Sequence, residues 1–250
     1  MRTGHFFLLL LFFSACKSTY QIKERSNNQY ILSDTSNATI DSSIYRYLTP
    51  YREQLEKEMN GVLAESTSPL EKGLPESKLG NFVSDACLEQ AKKAYHPQDS
   101  LPIDFCFFNS GGLRKALPSG PLTKGDVYQL MPFENSLVVV YCSGADVENL
   151  INFIASKGGG PVGGIRFSIK DGKATDITIG YQPFDKMKKY KVLTSDYLAN
   201  GGDSFYFLTD LMRDDLNLKV RDALINYLTE KGNLRLKIEA KTDGRITNVK

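Results

Sequence analysis

The apolar positions of this 250-residue chain fall into runs of changing period, and the changes mark its elements. Positions 6–13 form an unbroken apolar run that follows Arg2 and His5 and leads into Ser14-Ala15-Cys16. Its eight residues would span only about 12 Å as a helix, too short for a bilayer, so residues 1–16 read as a secretory leader. Residues 17–43 are rich in Ser, Asn, Thr and charge without any period, which predicts a polar tether; Tyr30-Ile31-Leu32 within it suits an edge strand. Over 44–63 the apolar positions Tyr47-Leu48, Tyr51, Leu55, Met59 and Leu63 return at helical spacing. A loop over 66–73 separates this helix from a second one over 75–95, whose buried stripe would be Leu79, Phe82-Val83, Ala86-Cys87 and Ala91.

Beyond Pro97 and Pro102 the period changes to that of strands. Phe105-Cys106-Phe107-Phe108 is a short apolar run, and 136–142 is strongly β-branched. Between them, 121–128 predicts a short helix with Thr123 as its N-cap. Ser143-Gly144 opens an amphipathic helix through Val147, Leu150-Ile151 and Ile154. It runs out at Gly158-Gly159-Gly160, either a mobile loop or a close backbone approach. Strands follow over 165–169, 174–179 and 190–194, the first two joined by the hairpin dipeptide Asp171-Gly172. A helix over 218–228 and a strand over 234–240 complete the chain. The mixture predicts a single α/β (mixed α+β) domain over 44–250, its sheet flanked by helices.

Composition narrows the chemistry. The net charge of +2, without a basic cluster interleaved with aromatics, argues against nucleic-acid binding. Histidine is the decisive shortage: only His5 and His96 occur, and His5 lies in the leader. That supplies neither a dinuclear hydrolase centre nor a Ser-His-Asp triad, so no catalytic residue and no metal ligand is assigned. His96 stands before Pro97 where a helix should end, a surface or capping position. Cys87, Cys106 and Cys142 fall on apolar helix or strand positions and read as buried free thiols. Cys16 differs. Ser14-Ala15 before it resembles a bacterial lipobox, with Phe13 where leucine is commoner. Lipidation of Cys16 would anchor the chain in the cell envelope, at the outer membrane or the periplasmic face, and the leader would mark where the chain begins.

Two stretches carry candidate chemistry. After the Phe105 strand comes Asn109-Ser110-Gly111-Gly112-Leu113-Arg114, a glycine turn that lets backbone or ligand come close and then delivers an arginine. Such an arginine is either solvated or presents its planar fork to an anion. Tyr197-Leu198-Ala199-Asn200-Gly201-Gly202-Asp203 repeats the logic with an aromatic ring, a glycine pair and an acid.

Four segments in order resemble the C-terminal, nucleotide-recognising domain of the 5′-nucleotidase family. They are Glu76-Ser77-Lys78-Leu79-Gly80-Asn81 with Asp85-Ala86, the Asn109 to Arg114 turn, Met131-Pro132-Phe133-Glu134-Asn135, and Tyr197 to Asp203 continuing into Ser204-Phe205; Lys124-Gly125-Asp126-Val127-Tyr128 fits between them. The resemblance implies that Phe133 and Tyr197 clamp a nucleobase, that Asn109 hydrogen-bonds the base, and that Asp203 accepts from ribose hydroxyls. It places Arg114 on the ribose and phosphate side, with Gly111 and Gly112 lining the site. Tyr197 stands where the family usually has Phe. The family's arginine ahead of Leu-Gly-Asn is also missing from Glu71-Lys72-Gly73-Leu74-Pro75-Glu76, which leaves Lys72 or Lys78 as substitutes.

The family's metallophosphatase domain, with its two metals, has no counterpart in this sequence. The resemblance therefore implies the nucleoside- and nucleotide-recognising half of a split 5′-nucleotidase of nucleotide catabolism. A separate metallophosphatase chain would hold two divalent metals, and this chain would bind none and hydrolyse nothing by itself. The alternative is a stand-alone nucleoside- or nucleotide-binding lipoprotein without catalysis. A structural lipoprotein that has lost binding is a third expectation.

Overall fold

Strands buried on both faces lose the in–out polar alternation of surface sheets and read as continuous apolar runs, as Phe105 to Phe108 and Leu137 to Cys142 do. The computed structural model, which describes residues 22–29 and 41–249, shows what fills each face. The N-terminal elements are helix α1 (Ser42–Met59), strand β1 (Val62–Ser66), helix α2 (Lys78–Ala94) and strand β2 (Phe105–Phe107). Next come β3 (Gly120–Thr123), α3 (Lys124–Leu130), β4 (Ser136–Ser143), α4 (Gly144–Ser156) and β5 (Val162–Gly163). They are followed by β6 (Ile165–Lys170), β7 (Lys173–Ile179), β8 (Gln182–Pro183), β9 (Lys189–Ser195) and the short helix α5 (Asp196–Ala199). The chain finishes with β10 (Arg213–Lys219), α6 (Val220–Asn233), β11 (Lys237–Ile238) and β12 (Ile246–Asn248).

The central sheet has the order β10-β4-β9-β2-β5, with β9 and β2 parallel and the other pairs antiparallel. Alternate residues along its strands feed two different cores. Cys106, Phe108, Leu137, Val139 and Leu193 face a core built with α2, α3 and α6. Phe105, Phe107, Val138, Val140 and Val192 face the opposite core, built with α4, α5 and the sheet β12-β6-β7-β8. A third sheet, β11-β1-β3, borders the first core. Residues 46–250 form one compact unit, a mixed α/β fold with helices on both faces of its central sheet.

Local signals explain most boundaries. Ser77 caps α2 by accepting from the Gly80 N–H, and Thr123 caps α3 in a reciprocal box with Asp126. Ser143 does the same for α4 with Asp146: the Asp146 N–H donates to Ser143 Oγ at 3.2 Å and the Ser143 N–H to Asp146 Oδ2 at 2.8 Å. Ser143→Ala is expected to cost about 1 kcal/mol and to lower the melting temperature by about 2–4 °C, read by calorimetry. Asp171-Gly172 makes the β6–β7 hairpin with both φ values positive, at 51° and 73°. Gly158-Gly159-Gly160 is a close approach: Gly159 has φ +109°, and a Cβ on it would lie 2.2 Å from the Pro75 carbonyl oxygen.

Several expectations are corrected. The first helix stops at Met59 rather than reaching position 63, because Asn60-Gly61 breaks it and Ala64 and Ser66 turn inward with strand period. No residue of α1 is buried, so its apolar positions do not form a core stripe. The 121–128 helix is a strand followed by a helix, divided at Thr123. β10 escaped prediction because its Arg213-Asp214-Asp215 edge is half-exposed and charged, and β12 because it is only three residues long. The 234–240 strand shrinks to Lys237–Ile238, with Leu234 and Leu236 exposed. Cys87, Cys106 and Cys142 are free and buried, and burial pushes the Cys142 thiol up to about 12. His96 is exposed just past the end of α2. The leader, Cys16 and the Tyr30 segment lie outside the described residues. Among the described residues no helix is long and apolar enough to cross a membrane.

Candidate functional site

Two glycine-containing loops leave neighbouring parallel strands of the central sheet at the same end, since β2 and β9 run side by side. Past β2, the Phe108 N–H is held by the Pro161 carbonyl at 2.9 Å, and the chain enters the tight turn Ser110–Gly112. A Cβ at Gly112 would lie 2.9 Å from Asn109 Oδ1, so a side chain there would displace the Asn109 amide. Leu113 is buried, and the Arg114 N–H donates to the Leu130 carbonyl at 2.8 Å, pinning the loop to the end of α3. Arg114 Nη1 donates back to the Gly111 carbonyl at 3.3 Å, and its guanidinium lies 6.0 Å from the centre of the Phe133 ring.

Phe133 follows α3 and is 39% exposed, an aromatic ring left open to solvent. Its segment is fixed from behind. Arg221 Nη1 donates to the Phe133 carbonyl at 3.4 Å, and the Asn135 carbonyl accepts from the Val220 N–H at 2.9 Å. Glu134 pairs with Lys219 and Arg221, whose cations hold its carboxyl down to about 2.

The second loop begins where Ser195 caps α5. Tyr197 is 43% exposed and lies against Gly202, where a Cβ would come within 2.5 Å of its ring. Gly201 adopts φ +87°, and Asp203 adopts φ 50°, a left-handed turn that carries the carboxylate back toward Tyr197. Phe205 anchors the loop in the second core, against Phe153 and Phe107 at ring distances of 4.7 and 5.2 Å.

Asp203 joins the loops. Its Oδ2 accepts from Asn109 Nδ2 at 2.6 Å and its Oδ1 from the Tyr197 hydroxyl at 2.8 Å. The Asp203 N–H donates to the same phenol oxygen at 3.3 Å. The hydrogen bond to Asp203 raises the Tyr197 phenol above its ordinary range.

A cavity of about 280 Å³ opens between these groups, lined by Asn109, Gly111, Gly112, Arg114, Phe133, Asn135, Tyr197 and Asp203. All seven binding residues expected from the sequence line it, together with Asn135. Asn135 belongs to the Met131 to Asn135 motif but carries no role expected from the sequence. A second cavity of about 410 Å³ shares Asn109, Gly111 and Asp203 as a wall and is otherwise largely apolar, with Phe108, Phe153, Ile154 and Phe205. Lys157 lines that cavity, whereas neither Lys72 nor Lys78 lines either one; Lys78 Nζ instead donates to Ser68 Oγ at 3.2 Å. Phe153 and Lys157 come from α4 and its end and carry no local sequence signal for this role. Among the described residues no group of three or more His, Cys, Asp or Glu side chains is placed to hold a metal ion.

The parallel pair of the mixed sheet thus delivers two aromatic-rimmed glycine loops to one cavity. The chain belongs to the 5′-nucleotidase C-terminal domain family, whose model matches residues 60–210. It is 29% identical over 180 residues to a 5′-nucleotidase of Vibrio parahaemolyticus, covering 67% of this chain and 30% of that protein. It is 28% identical over 189 residues to a 5′-nucleotidase of Vibrio cholerae, covering 70% and 32%. The crystal structure of a 5′-nucleotidase precursor from Thermus thermophilus superposes with a TM-score of 0.68 at 28% identity, over 84% of this chain and 43% of that one. The chain spans about a third of the length of the Vibrio relatives it matches.

Proposed function

We propose that this chain is the nucleoside- and nucleotide-recognising half of a split 5′-nucleotidase, lipid-anchored through Cys16 in the cell envelope and working with a separate metallophosphatase chain. One observation carries the reading: two half-exposed rings, an amide, an arginine and a carboxylate converge on a single 280 Å³ cavity in a domain of this family. Phe133 and Tyr197 stack the base, each contact being worth roughly 1–3 kcal/mol. Asn109 Nδ2 gives one N–H to Asp203, which leaves its second N–H and Oδ1 for the base edge. Asp203 accepts from the ribose hydroxyls, and Arg114 offers its fork on the sugar and phosphate side. The described residues offer no metal cluster of their own. When bound in the partner, two divalent metals supply a water-derived nucleophile for the phosphoester; this chain's residues orient the substrate.

Calorimetric titration of the full chain with adenosine and AMP, free of metal, tests the recognition half. Phe133→Ala is expected to weaken binding roughly 5- to 150-fold, as is Tyr197→Ala. Absence of any binding by the wild type would overturn the reading. Co-purification from envelope extracts, followed by assay of phosphate release from AMP, tests the partnership. If no metallophosphatase co-purifies and deletion leaves nucleotidase activity unchanged, the chain is a stand-alone nucleoside-binding lipoprotein.

A further inference from the structure

We propose that the Tyr197 hydroxyl is a positioning group for Asp203 and makes the site selective for sugars that carry a vicinal diol. The inference rests on the nucleoside reading above and adds a residue role to it. Asp203 sits on an exposed left-handed turn, where a carboxylate left to itself samples several rotamers. Here it is gripped from both ends, Oδ1 by the Tyr197 hydroxyl at 2.8 Å and Oδ2 by the Asn109 amide at 2.6 Å. The Asp203 N–H donates to the same phenol oxygen at 3.3 Å, so the ring is tied to the backbone of the residue it orients.

An ionised carboxylate offers about four acceptor sites, two on each oxygen. The two protein donors occupy one on each, which leaves one on each oxygen, the pattern that a pair of adjacent sugar hydroxyls satisfies. Holding the carboxylate in place before the ligand arrives removes an ordering cost that the sugar contact would otherwise bear. A phenylalanine at 197 would keep the stacking face and lose this grip. The tyrosine therefore couples two functions: its ring faces the base cavity, and its hydroxyl sets the sugar acceptor.

The test compares adenosine with 2′,3′-dideoxyadenosine on the full-length wild type and on Tyr197→Phe, by calorimetry. The wild type is expected to prefer adenosine. In Tyr197→Phe the dissociation constant for adenosine is expected to rise roughly three- to tenfold while that for the dideoxy analogue stays put, since only the former uses the carboxylate. Equal weakening of both ligands would mean that the hydroxyl merely braces the loop and would overturn the proposal. Tighter adenosine binding by the variant would also overturn it, because the hydroxyl would then compete with the sugar. A wild type that binds both ligands equally removes the sugar role of Asp203, and the proposal falls with it. A wild type that binds neither overturns the nucleoside reading itself.

Discussion

Replacing Arg245 by alanine is expected to destabilise the domain by about 3 kcal/mol and to lower its melting temperature by roughly 6–12 °C. Arg245 is 8% exposed, in the turn between β11 and β12. Its guanidinium makes a bidentate pair with Asp85 of α2, at 2.8 Å to Oδ1 and 3.0 Å to Oδ2. It also donates to the Val162 carbonyl at 2.8 Å and to Asp243 at 3.1 and 3.2 Å. Glu76, just ahead of α2, accepts from the backbone N–H groups of Asp243 and Gly244 at 2.7 and 3.0 Å. Through these groups the last strand is fastened to the start of α2 and to edge strand β5. Removing one partner of a buried ion pair leaves the rest uncompensated, which typically costs about 3–5 kcal/mol; the low end applies because Asp85 reaches solvent.

The pH dependence has a definite sign. Burial pushes the Asp243 carboxyl up, but the Arg245 and Arg166 guanidinium groups outweigh it and hold the folded-state value below the ordinary 3.8. A depressed carboxylate contributes stability that is present above its unfolded pKa and lost as pH falls through the lower folded value. Urea unfolding of wild type and Arg245→Ala is therefore expected to show the full difference at pH 7 and a narrowing one below about pH 3.8. A gap that is independent of pH would mean that the cost is packing alone.

Arg245 also illustrates what the sequence left illegible. Nothing local to Asp243-Gly244-Arg245-Ile246 says that its guanidinium reaches Asp85, because that pairing exists only once β12 lies beside β6. Phe153 and Lys157 join the second cavity for the same reason, carried there by the packing of α4 against the central sheet. The loops at Asn109 and Tyr197, by contrast, were legible, because their constraints are steric and local. A side chain at Gly112 would displace the Asn109 amide, and Gly201 adopts a positive φ. Helices α2 and α4 were legible from their apolar stripes, while the Ser77 cap shows only in the structure. Strand β10 was not, since an edge strand with charges on it carries no period to read.

The second large effect comes from a substitution that removes no functional group. Gly202→Ala is expected to weaken adenosine binding roughly as much as Tyr197→Ala does, by tenfold or more. Gly202 does not have a positive φ, so its backbone tolerates a side chain; the space does not. A Cβ there would stand 2.5 Å from Cε1 and Cζ of Tyr197 and 2.6 Å from its carbonyl oxygen. Carbon atoms prefer separations of about 3.5–4.0 Å, so ring and turn must part by about 1 Å. The half-exposed Tyr197 ring can swing aside, whereas its carbonyl is α5 backbone, so the turn at Gly202 must shift as well. The swing of the ring breaks the 2.8 Å hydrogen bond to Asp203 and would remove one face of the proposed clamp together with the proposed grip on the sugar acceptor. The cost in stability is expected to be about 1–3 kcal/mol, because the backbone of the turn moves as well as the ring. Calorimetry of ligand binding beside thermal unfolding separates the two effects. A folded Gly202→Ala protein that binds adenosine as the wild type does would show that the Tyr197 ring is not part of the clamp.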